Sequence, residues 1–423
     1  MKNKTLKITI CAIVAIFVFI GGLWTGIRFD YLKGCLNAFH DSVIQRSSGR
    51  RTPGSILEDI DRIPEDIINE PDIEPVAEAM NLIFGNSLKV KSDKELVEAA
   101  IRGMISVLDD NYAEYFTAEE YQRIMESYSG TASGIGVVVT LDDEGRVVVV
   151  RVLEGAPASE TDIKEGDIII GVNGTDIAGM DLEKVVAMIK GKEGTSVNIE
   201  IYRPSTTETF KITVIRAKFD IPNLVSDIFE EDVGYVWYYD FQIGGVNQLD
   251  SEIKKLISGG ARGLILDLRN NPGGAWDDAI EVSDLFLNEG KIVSVKGRSN
   301  NKERTDEYIA SEGKYTEIPL VVLINEFSAS ASELVAGALK DNNRAILIGE
   351  KSYGKGVVQA LYELSDNSGI KFTTAKYFLP SGISIDGTGI TPDIIVEQKP
   401  DDEEDLQLNR AIEEIKALIK SAE

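Results

Sequence analysis

The stretch GLILDLRNNPGGAWDDAIEVSDLFL, residues 263–287, contains the pattern that decides the fold of this chain. It opens with an apolar run typical of a buried strand, passes through a Pro-Gly-Gly turn, and continues at residues 277–287 with the spacing of an amphipathic helix. The same alternation extends to both sides, with strands predicted at 234–241, 320–324 and 345–349 and helices at 246–258 and 331–340. Strands that alternate with helices predict an α/β core.

A different pattern precedes this core. Residues 131–217 contain turn residues, one predicted helix at 181–190, and short β-branched runs at 136–140, 146–153, 167–172, 197–202 and 210–215. This composition predicts a compact domain of strands with few helices.

Amphipathic helices are predicted on either side of these two regions. Residues 75–109 show the three- and four-residue spacing of two such helices. A third helix is predicted to begin after Thr117, because Thr117 and Glu120 have the spacing of a capping box. The charged tail at 401–421 predicts a last amphipathic helix.

The composition excludes several classes of function. A formal charge of -26 without a basic stripe excludes nucleic-acid binding. The two cysteines, Cys11 and Cys35, are too few for a disulfide framework or structural zinc. The single histidine, His40, lies outside the predicted catalytic core, which disfavours Ser/His/Asp triads, Cys/His dyads and HExxH zinc sites. We expect no cofactor and no metal.

The amino terminus predicts a membrane anchor. Residues 8–27 contain no charge, and at about 1.5 Å rise per residue they are long enough to cross a bilayer core. Lys2, Lys4 and Lys7 precede them, which places the amino terminus in the cytoplasm and the rest of the chain on the other side. A cleaved signal peptide is the alternative.

The segment NEFSASASE, residues 325–333, joins an apolar strand to a helix. Ser330 and Glu333 match a capping box, so a helix cap is the ordinary interpretation of this serine. A serine at a helix amino terminus is also well placed for attack on a carbonyl, because the free N–H groups and the helix dipole there stabilise an oxyanion.

The segment GEKSYGKGVVQ, residues 349–359, places Lys355 between glycines ahead of a predicted strand on which residues 355, 357 and 359 share a face. A lysine acts as a base only when burial lowers its pKa, and flanking glycines allow a close approach of the backbone. Gln359 would orient the amine without adding a charge. A surface lysine in a glycine-rich turn is the alternative.

The turn in residues 266–274, LDLRNNPGG, ends with Gly273 and Gly274. It is either an ordinary strand-to-helix loop or a source of exposed N–H groups for an oxyanion hole. Because the catalytic region lacks histidine, a Ser/Lys dyad is the simplest hydrolytic chemistry that these segments support.

Residues 96–396 resemble the C-terminal processing peptidases, also called tail-specific proteases. The resemblance rests on the ordered motifs LDLRNNPGG, SASASE, GKGVVQ, PSG at 380–382 and GITPDI at 389–394. It implies Ser330 as nucleophile, Lys355 as general base and Gln359 as the partner that orients the lysine. It also implies an oxyanion hole made by the backbone N–H groups of Ala331 and of Gly273 or Gly274.

The resemblance further implies that the strand-rich region is a PDZ domain, which captures a carboxyl-terminal peptide as an added strand. Its carboxylate-binding loop would be formed by Gly134, Ile135, Gly136 and Val137. Asp162 stands where the family usually has glycine, and because Asp tolerates a positive φ less well, we expect an altered turn there.

The chain is thus predicted to be a multidomain protein of the α/β and α+β classes, with a peptidase core of the ClpP/crotonase-like type. The predicted boundaries are a transmembrane signal anchor at 1–30, a linker at 31–74, a helical region at 75–130, a PDZ domain at 131–217, a peptidase core at 218–398 and a C-terminal helix at 399–423.

The predicted function is that of a membrane-anchored, extracytoplasmic serine endopeptidase that selects proteins by their carboxyl ends. Its partners would be peptide or protein substrates with free C-termini, the membrane, and a second copy in a homodimer. The alternatives are a catalytically inactive, membrane-tethered PDZ scaffold and an enzyme of acyl transfer on small thioesters.

Overall fold

The computed structural model describes residues 73–89, 91–142, 144–230, 232–299, 302–399 and 402–422. These residues divide into two compact units, one of residues 125–223 and the other of residues 73–124 and 224–422. Within these ranges no helix combines the length and the apolar character that a membrane span requires. The predicted anchor at 8–27, both cysteines and His40 lie outside the described residues.

The helices and strands are numbered here along the chain. The helices are α1 Glu74–Asn86, α2 Asp93–Ser106, α3 Ala118–Tyr128, α4 Leu182–Ile189, α5 Val246–Ser258, α6 Trp276–Phe286, α7 Ala331–Asp341 and α8 Leu406–Ser421. The strands are β1 Glu114–Phe116, β2 Thr131–Gly134, β3 Val137–Leu141, β4 Val147–Val152, β5 Ile168–Val172, β6 Thr175–Asp176, β7 Ser196–Arg203, β8 Glu208–Ile215, β9 Ala217–Asp220, β10 Leu224–Phe229, β11 Val233–Tyr238, β12 Gly263–Asp267, β13 Lys291–Ser299, β14 Lys302–Ile309, β15 Leu320–Ile324, β16 Ile346–Gly349, β17 Val357–Glu363, β18 Gly369–Phe378 and β19 Ile394–Ile395.

The unit of residues 125–223 is built on an antiparallel sheet in the order β3-β4-β5-β7-β8, with β6 paired to β5. Alternate residues of β7 are fully buried, as expected for a strand with one face on a core. α4 supplies Leu182, Val185 and Ile189 to the same core. The predicted strand-rich domain at 131–217 lies within this unit.

The other unit contains a sheet in the order β10-β11-β12-β15-β16-β19, parallel except for β10. Every residue of β12 and β15 is buried, which explains their continuous apolar sequence. Leu264 and Leu266 pack into the main core, whereas Ile265 between them is buried on the opposite face. α8 lies along this sheet, with Ile415 and Ile419 against Gly263.

A second, antiparallel sheet in this unit contains β1, β13, β14, β17 and β18. It was not predicted from the sequence. β1 pairs with β18 from Glu114↔Lys371 to Phe116↔Gly369, so the chain before the strand-rich domain also belongs to the core unit. The predicted helical region at 75–130 is therefore divided between α1 and α2, a short core strand, and α3.

The two amphipathic helices predicted at 75–109 are present as α1 and α2. One boundary needs correction, because the tail helix begins at Leu406 rather than at residue 401. Asp405 caps the tail helix by accepting a hydrogen bond from Leu408 N–H, so the acidic residues before it lie outside the helix. The capping box predicted for α3 is present, because Glu120 N–H donates to Thr117 Oγ1 and Thr117 N–H to Glu120 Oε2.

Candidate active site

The segments singled out in the sequence meet at the carboxyl ends of β12, β15 and β16, the edge where ligands bind in open α/β sheets. Asn270 N–H donates to Asn325 Oδ1, and Asn325 Nδ2 donates to Asn270 Oδ1, both at 2.9 Å. Tyr353 N–H donates to the Ser328 carbonyl at 3.0 Å. These bonds tie the LDLRNNPGG, SASASE and GKGVVQ segments into one site.

Ser330 precedes α7 in a strained conformation. It has φ 53 and ψ -112 degrees, and only 7% of the residue is exposed. A residue with a side chain in this part of φ/ψ space costs on the order of 1–3 kcal/mol, and such strain concentrates at functional sites. A sharp strand-to-helix turn also holds the nucleophilic serine of other hydrolases. Tyr377 OH donates to the Ser330 carbonyl at 3.2 Å, which helps to hold this geometry.

Glu333 connects the two segments on which Ser330 and Lys355 lie. Its Oε2 accepts hydrogen bonds from Ser330 N–H and from Lys355 N–H, each at 2.9 Å. Its Oε1 accepts from Ser352 Oγ at 2.5 Å and from Gly354 N–H at 2.7 Å. The backbone nitrogens of the predicted nucleophile and base are therefore held on one carboxylate oxygen.

The Glu333 side chain is fully buried. Burial raises the pKa of Glu333, whereas the hydrogen bonds from Ser352, Lys355, Gly354 and Ser330 act in the opposite direction. The sequence predicted a capping box between Ser330 and Glu333. One of its bonds, from Ser330 N–H to the Glu333 carboxylate, is present. The sequence did not reveal that the same carboxylate reaches the lysine loop.

Lys355 and Gln359 are both buried, with 2% and 1% of their surfaces exposed. The prediction that residues 355, 357 and 359 share a face of one strand is wrong for Lys355, because β17 begins only at Val357. The register of β17 with β18 shifts between Val358 and Gln359, and the residue passed over there is Thr374 of β18, so β17 itself contains no extra residue.

The glycines around Lys355 have the role that the sequence predicted. A methyl group on Gly354 would lie 2.8 Å from Gly389 N, and one on Gly356 would lie 2.5 Å from Asp386 N. Both contacts are shorter than a side chain permits. The backbone of residues 386–389, which ends at the first residue of GITPDI, therefore packs directly on the lysine loop and helps to bury Lys355.

Gly273 packs against the start of α7. A methyl group on Gly273 would lie 2.9 Å from Ser330 Cβ and 3.0 Å from Ala331 N. The predicted oxyanion-hole residues are thus adjacent. Gly273 N–H, however, donates to Asn271 Oδ1 at 2.8 Å, so in this conformation it is engaged within the protein.

Gly274 forms a parallel bridge with Phe241. The bridge uses the groups on either side of Gly274: Phe241 N–H donates to the Gly273 carbonyl at 3.1 Å, and Ala275 N–H donates to the Phe241 carbonyl at 2.7 Å. A methyl group on Gly274 would lie 2.1 Å from the Phe241 carbonyl oxygen, so this position requires glycine.

The predicted carboxylate-binding loop lies between β2 and β3 of the other unit. Gly134 ends β2, Val137 begins β3, and Gly136 has φ 76 degrees, which suits glycine. Ile135 is 1% exposed, and its carbonyl accepts a hydrogen bond from Ala158 N–H at 2.7 Å. The Ile135 side chain is therefore part of the core of its unit, and a bound peptide would meet only its backbone.

The turn at Asp162 differs from the expectation. Asp162 does not adopt a positive φ, so aspartate causes no left-handed strain there. Its carboxylate pairs with Arg203 Nη1 at 2.9 Å and with Lys164 Nζ at 2.7 Å, and its carbonyl also accepts from Arg203. The aspartate side chain is accommodated by ion pairs that glycine, which has no side chain, could not form.

The part of the chain that the structure describes contains no cluster of three or more His, Cys, Asp or Glu side chains placed to bind a metal ion. The expectation that catalysis needs no metal or cofactor stays a prediction.

Sequence reasoning missed residues before β1 that reach the candidate site. Lys355 Nζ lies 4.8 Å from the centroid of the Tyr112 ring. Asp110 accepts hydrogen bonds from Thr373, which in turn accepts one from Gln359. Asp110 and Thr373 are 263 residues apart in the sequence, and no local motif signals such a contact.

Comparisons with known proteins agree with this architecture. The family model described as "Peptidase family S41" matches residues 232–396, and the PDZ domain model matches residues 124–202. The model described as "Activating protease CtpB N-terminal domain" matches residues 46–120.

Relatives cover most of the chain. A carboxy-terminal-processing protease of Bartonella bacilliformis is 39% identical over 314 residues, which are 73% of this chain and 71% of the relative. The carboxy-terminal processing protease CtpA of Bacillus subtilis is 37% identical over 306 residues, 72% of this chain and 65% of the relative. A Bacteroides fragilis protein assigned to the S41 proteases has a similar fold, with a TM-score of 0.50 at 16% identity, covering 80% of this chain and 97% of that one.

Fold, site and relatives together define a serine-type peptidase that contains a PDZ domain. The chain belongs to peptidase family S41, and within it to the carboxyl-terminal processing proteases. The prediction of the family, of its PDZ domain and of its hydrolase activity is thereby confirmed.

Proposed function

We propose that this peptidase cleaves peptide bonds with Ser330 as nucleophile, Lys355 as general base and Gln359 as the group that orients the lysine. The observation that carries the proposal is the buried Glu333 carboxylate, because a single oxygen atom holds both Ser330 N–H and Lys355 N–H at 2.9 Å. The strained backbone of Ser330 supports the same assignment.

In the proposed reaction, Ser330 Oγ attacks the scissile carbonyl carbon while Lys355 Nζ removes the hydroxyl proton. The oxyanion is stabilised by backbone N–H groups, for which Ala331 and Gly274 are preferred because Gly273 N–H already donates to Asn271. Lys355 then protonates the leaving amine. Water hydrolyses the resulting acyl-enzyme by the reverse use of the same groups.

The substrates we propose are proteins with an accessible carboxyl end. The PDZ domain match supports this, since PDZ domains bind such ends by strand addition. Peptides with a free carboxylate should bind the purified protein at least tenfold more tightly than the same peptides with an amidated end. Equal binding of both forms would refute selection by the carboxyl end.

Degradation of an unfolded protein tests the chemistry. Ser330→Ala and Lys355→Arg should each abolish cleavage, the second because a guanidinium stays protonated and cannot act as a base. Circular dichroism should show that both variants remain folded. If Ser330→Ala degrades the substrate at the wild-type rate, the nucleophile is another residue.

We also propose that residues 8–27 anchor the chain in the cell membrane with the catalytic unit outside the cytoplasm. The uncharged segment and the basic residues before it support this topology. Protease added to intact bacterial spheroplasts that express the full chain should digest the catalytic unit. Protection from that protease would contradict the topology, and intact mass would reveal whether the segment is cleaved.

The last part of the proposal is a homodimer formed through α1 and α2. No residue of either helix is buried in the described chain, and large apolar side chains such as Leu82, Phe84 and Met104 are 57%, 58% and 63% exposed. Light scattering should give the mass of a dimer for the wild type and of a monomer for Phe84→Glu. A monomeric wild type at micromolar concentration would refute the dimer.

A further inference from the structure

Residues 109–116, which follow α2 and end with β1, are attached to β18, a strand that supports the candidate active site. Its last residues form β1 and pair with β18. β18 also pairs with β17, on which Gln359 lies directly opposite Thr373. The segment is thus fixed to the strand next to the one that carries the proposed orienting residue.

Asp110 in this segment binds Thr373 with its carboxylate. Asp110 Oδ2 accepts a hydrogen bond from Thr373 N–H at 2.7 Å, and Asp110 Oδ1 lies 3.1 Å from Thr373 Oγ1. A carboxylate only accepts hydrogen bonds, so the Thr373 hydroxyl must donate its proton to Asp110. The lone pairs of Thr373 Oγ1 then remain to accept from another donor.

That donor is the side-chain amide of Gln359. Gln359 Nε2 lies 3.3 Å from Thr373 Oγ1, and Gln359 is almost fully buried. The two ends of an amide differ, because the nitrogen donates and the oxygen accepts. With the nitrogen committed to Thr373, the oxygen is the end that remains to accept from a lysine ammonium, which only donates.

The same segment also contacts Lys355. Asp110 Oδ1 accepts from Tyr112 N–H at 3.0 Å, and the Tyr112 ring lies under Lys355 Nζ at 4.8 Å from its centroid. Asp110 therefore fixes the residue next to the proposed base as well as the threonine next to its orienting partner.

We propose that Asp110 and Thr373 form a positioning relay that sets the orientation of the Gln359 amide, with its carbonyl oxygen available to Lys355. Residues 109–116 are then part of the catalytic centre and not only a connection to the helices before them. Asp110 and Thr373 are positioning residues, since they act through Gln359. The inference rests on the proposed roles of Ser330 and Lys355.

The test compares two substitutions of Thr373 in the full chain. Thr373→Val has a similar shape but no hydroxyl, and it should lower kcat about tenfold or more while KM changes less than about twofold. Thr373→Ser retains the hydroxyl and should recover most of the rate. Thr374→Val, on the neighbouring residue of β18, is the matched control and should resemble the wild type.

A double-mutant cycle separates the relay from a general structural effect. In a Gln359→Ala background, Thr373→Val should cause no further loss, because the group that the relay orients is absent. If Thr373→Val does not fold, Asp110→Asn is tested in its place. The same loss of kcat is expected, because the amide nitrogen of asparagine is a donor and cannot accept a hydrogen bond from the Thr373 hydroxyl or N–H.

Two results would overturn the inference alone: equal kcat for Thr373→Val and Thr373→Ser, or a full loss from Thr373→Val in the Gln359→Ala background. In both of these cases Ser330→Ala would still be inactive. If Ser330→Ala instead cleaves at the wild-type rate, the proposed function fails and the relay fails with it.

Discussion

Replacing Glu333 by Gln is expected to loosen the site without changing its shape. Glu333 Oε1 accepts from Ser352 Oγ and Gly354 N–H, and Oε2 accepts from Ser330 N–H and Lys355 N–H. A glutamine side chain is nearly isosteric, but one of its two ends is an NH2 group that can only donate. If the NH2 group faces Ser330 N–H and Lys355 N–H, two buried donors face another donor. If it faces the other end, Gly354 N–H does so, whereas the Ser352 hydroxyl can turn to accept.

The size of the effect follows from those contacts. A hydrogen bond to a charged group contributes about 1.5–3 kcal/mol, so losing the Gly354 bond costs roughly that much, and losing both Ser330 and Lys355 bonds costs roughly 3–6 kcal/mol. The bonds that remain are weaker because their acceptor is neutral. The raised pKa of Glu333 shows that burying its charge is itself unfavourable, and removal of that charge returns part of the loss. We expect a net decrease of about 2–4 kcal/mol in the free energy of unfolding, which a domain with about 5–15 kcal/mol can survive.

Activity should fall more than stability suggests, because a displacement of about 1 Å between reacting groups can cost roughly 100-fold in rate. The assay is urea denaturation together with kcat/KM for the wild type, Glu333→Gln and Glu326→Gln. Glu326 is exposed in the loop before Ser330 and serves as the matched control. This role of Glu333 is refuted if the free energy of unfolding of Glu333→Gln is within about 1 kcal/mol of the wild-type value and its kcat/KM is within about threefold. In that case the carboxylate is not what holds Ser330 and Lys355 together.

Three further predictions concern stability and the base. Gly274→Ala should destabilise the protein by about 3 kcal/mol or more, because its methyl group would lie 2.1 Å from the Phe241 carbonyl oxygen. Urea denaturation measures this loss, and an unfolding midpoint equal to that of the wild type would contradict the close approach. Burial raises the pKa of Asp240 from 3.8 to about 7. Between about pH 4 and 7 the folded state therefore keeps a proton that the unfolded state has released, so the free energy of unfolding should fall as pH rises through this range. Asp240→Asn should flatten that decline when unfolding is measured across the same range, and an unchanged slope would argue against the shift. Tyr112→Leu should slow the phosphonylation of Ser330 by an active-site phosphonate roughly 2- to 30-fold, because Lys355 loses a cation–π contact worth about 0.5–2 kcal/mol. A wild-type rate would show that the ring is dispensable.

The α/β core was predictable because its strands are buried on both faces and therefore read as apolar runs. β15 and α5 have the boundaries that the sequence predicted. The antiparallel sheet was missed for the opposite reason. β14 has the sequence KERTDEYI, in which alternate residues are exposed and the others are only partly buried. Because most of these residues are polar or charged, the sequence does not have the apolar pattern that predicts a strand. Its pairing with β13 depends on tertiary context that local propensity does not record.

The candidate site was predictable to the extent that each group lies in a local motif. Ser330, Lys355 and Gln359 occur in short segments from which their proposed roles were predicted without a structure. The contacts of Asp110 and Tyr112 cannot be read in this way, because they depend on β1 pairing with a strand that follows more than half of the chain later. Lys355 is a further example, because the sequence placed it on a strand that begins only at Val357.

In the mechanism proposed above, Ser330 is both a helix cap and the nucleophile. The capping glutamate binds Ser330 N–H as a capping box requires, and the same carboxylate continues to the backbone of Lys355. A serine with an ordinary cap would need only the first bond and would have no reason to adopt φ 53 degrees. In the proposed mechanism, the cap is therefore the device that brings a strained serine and a buried lysine into one site, and local capping rules describe only half of its function.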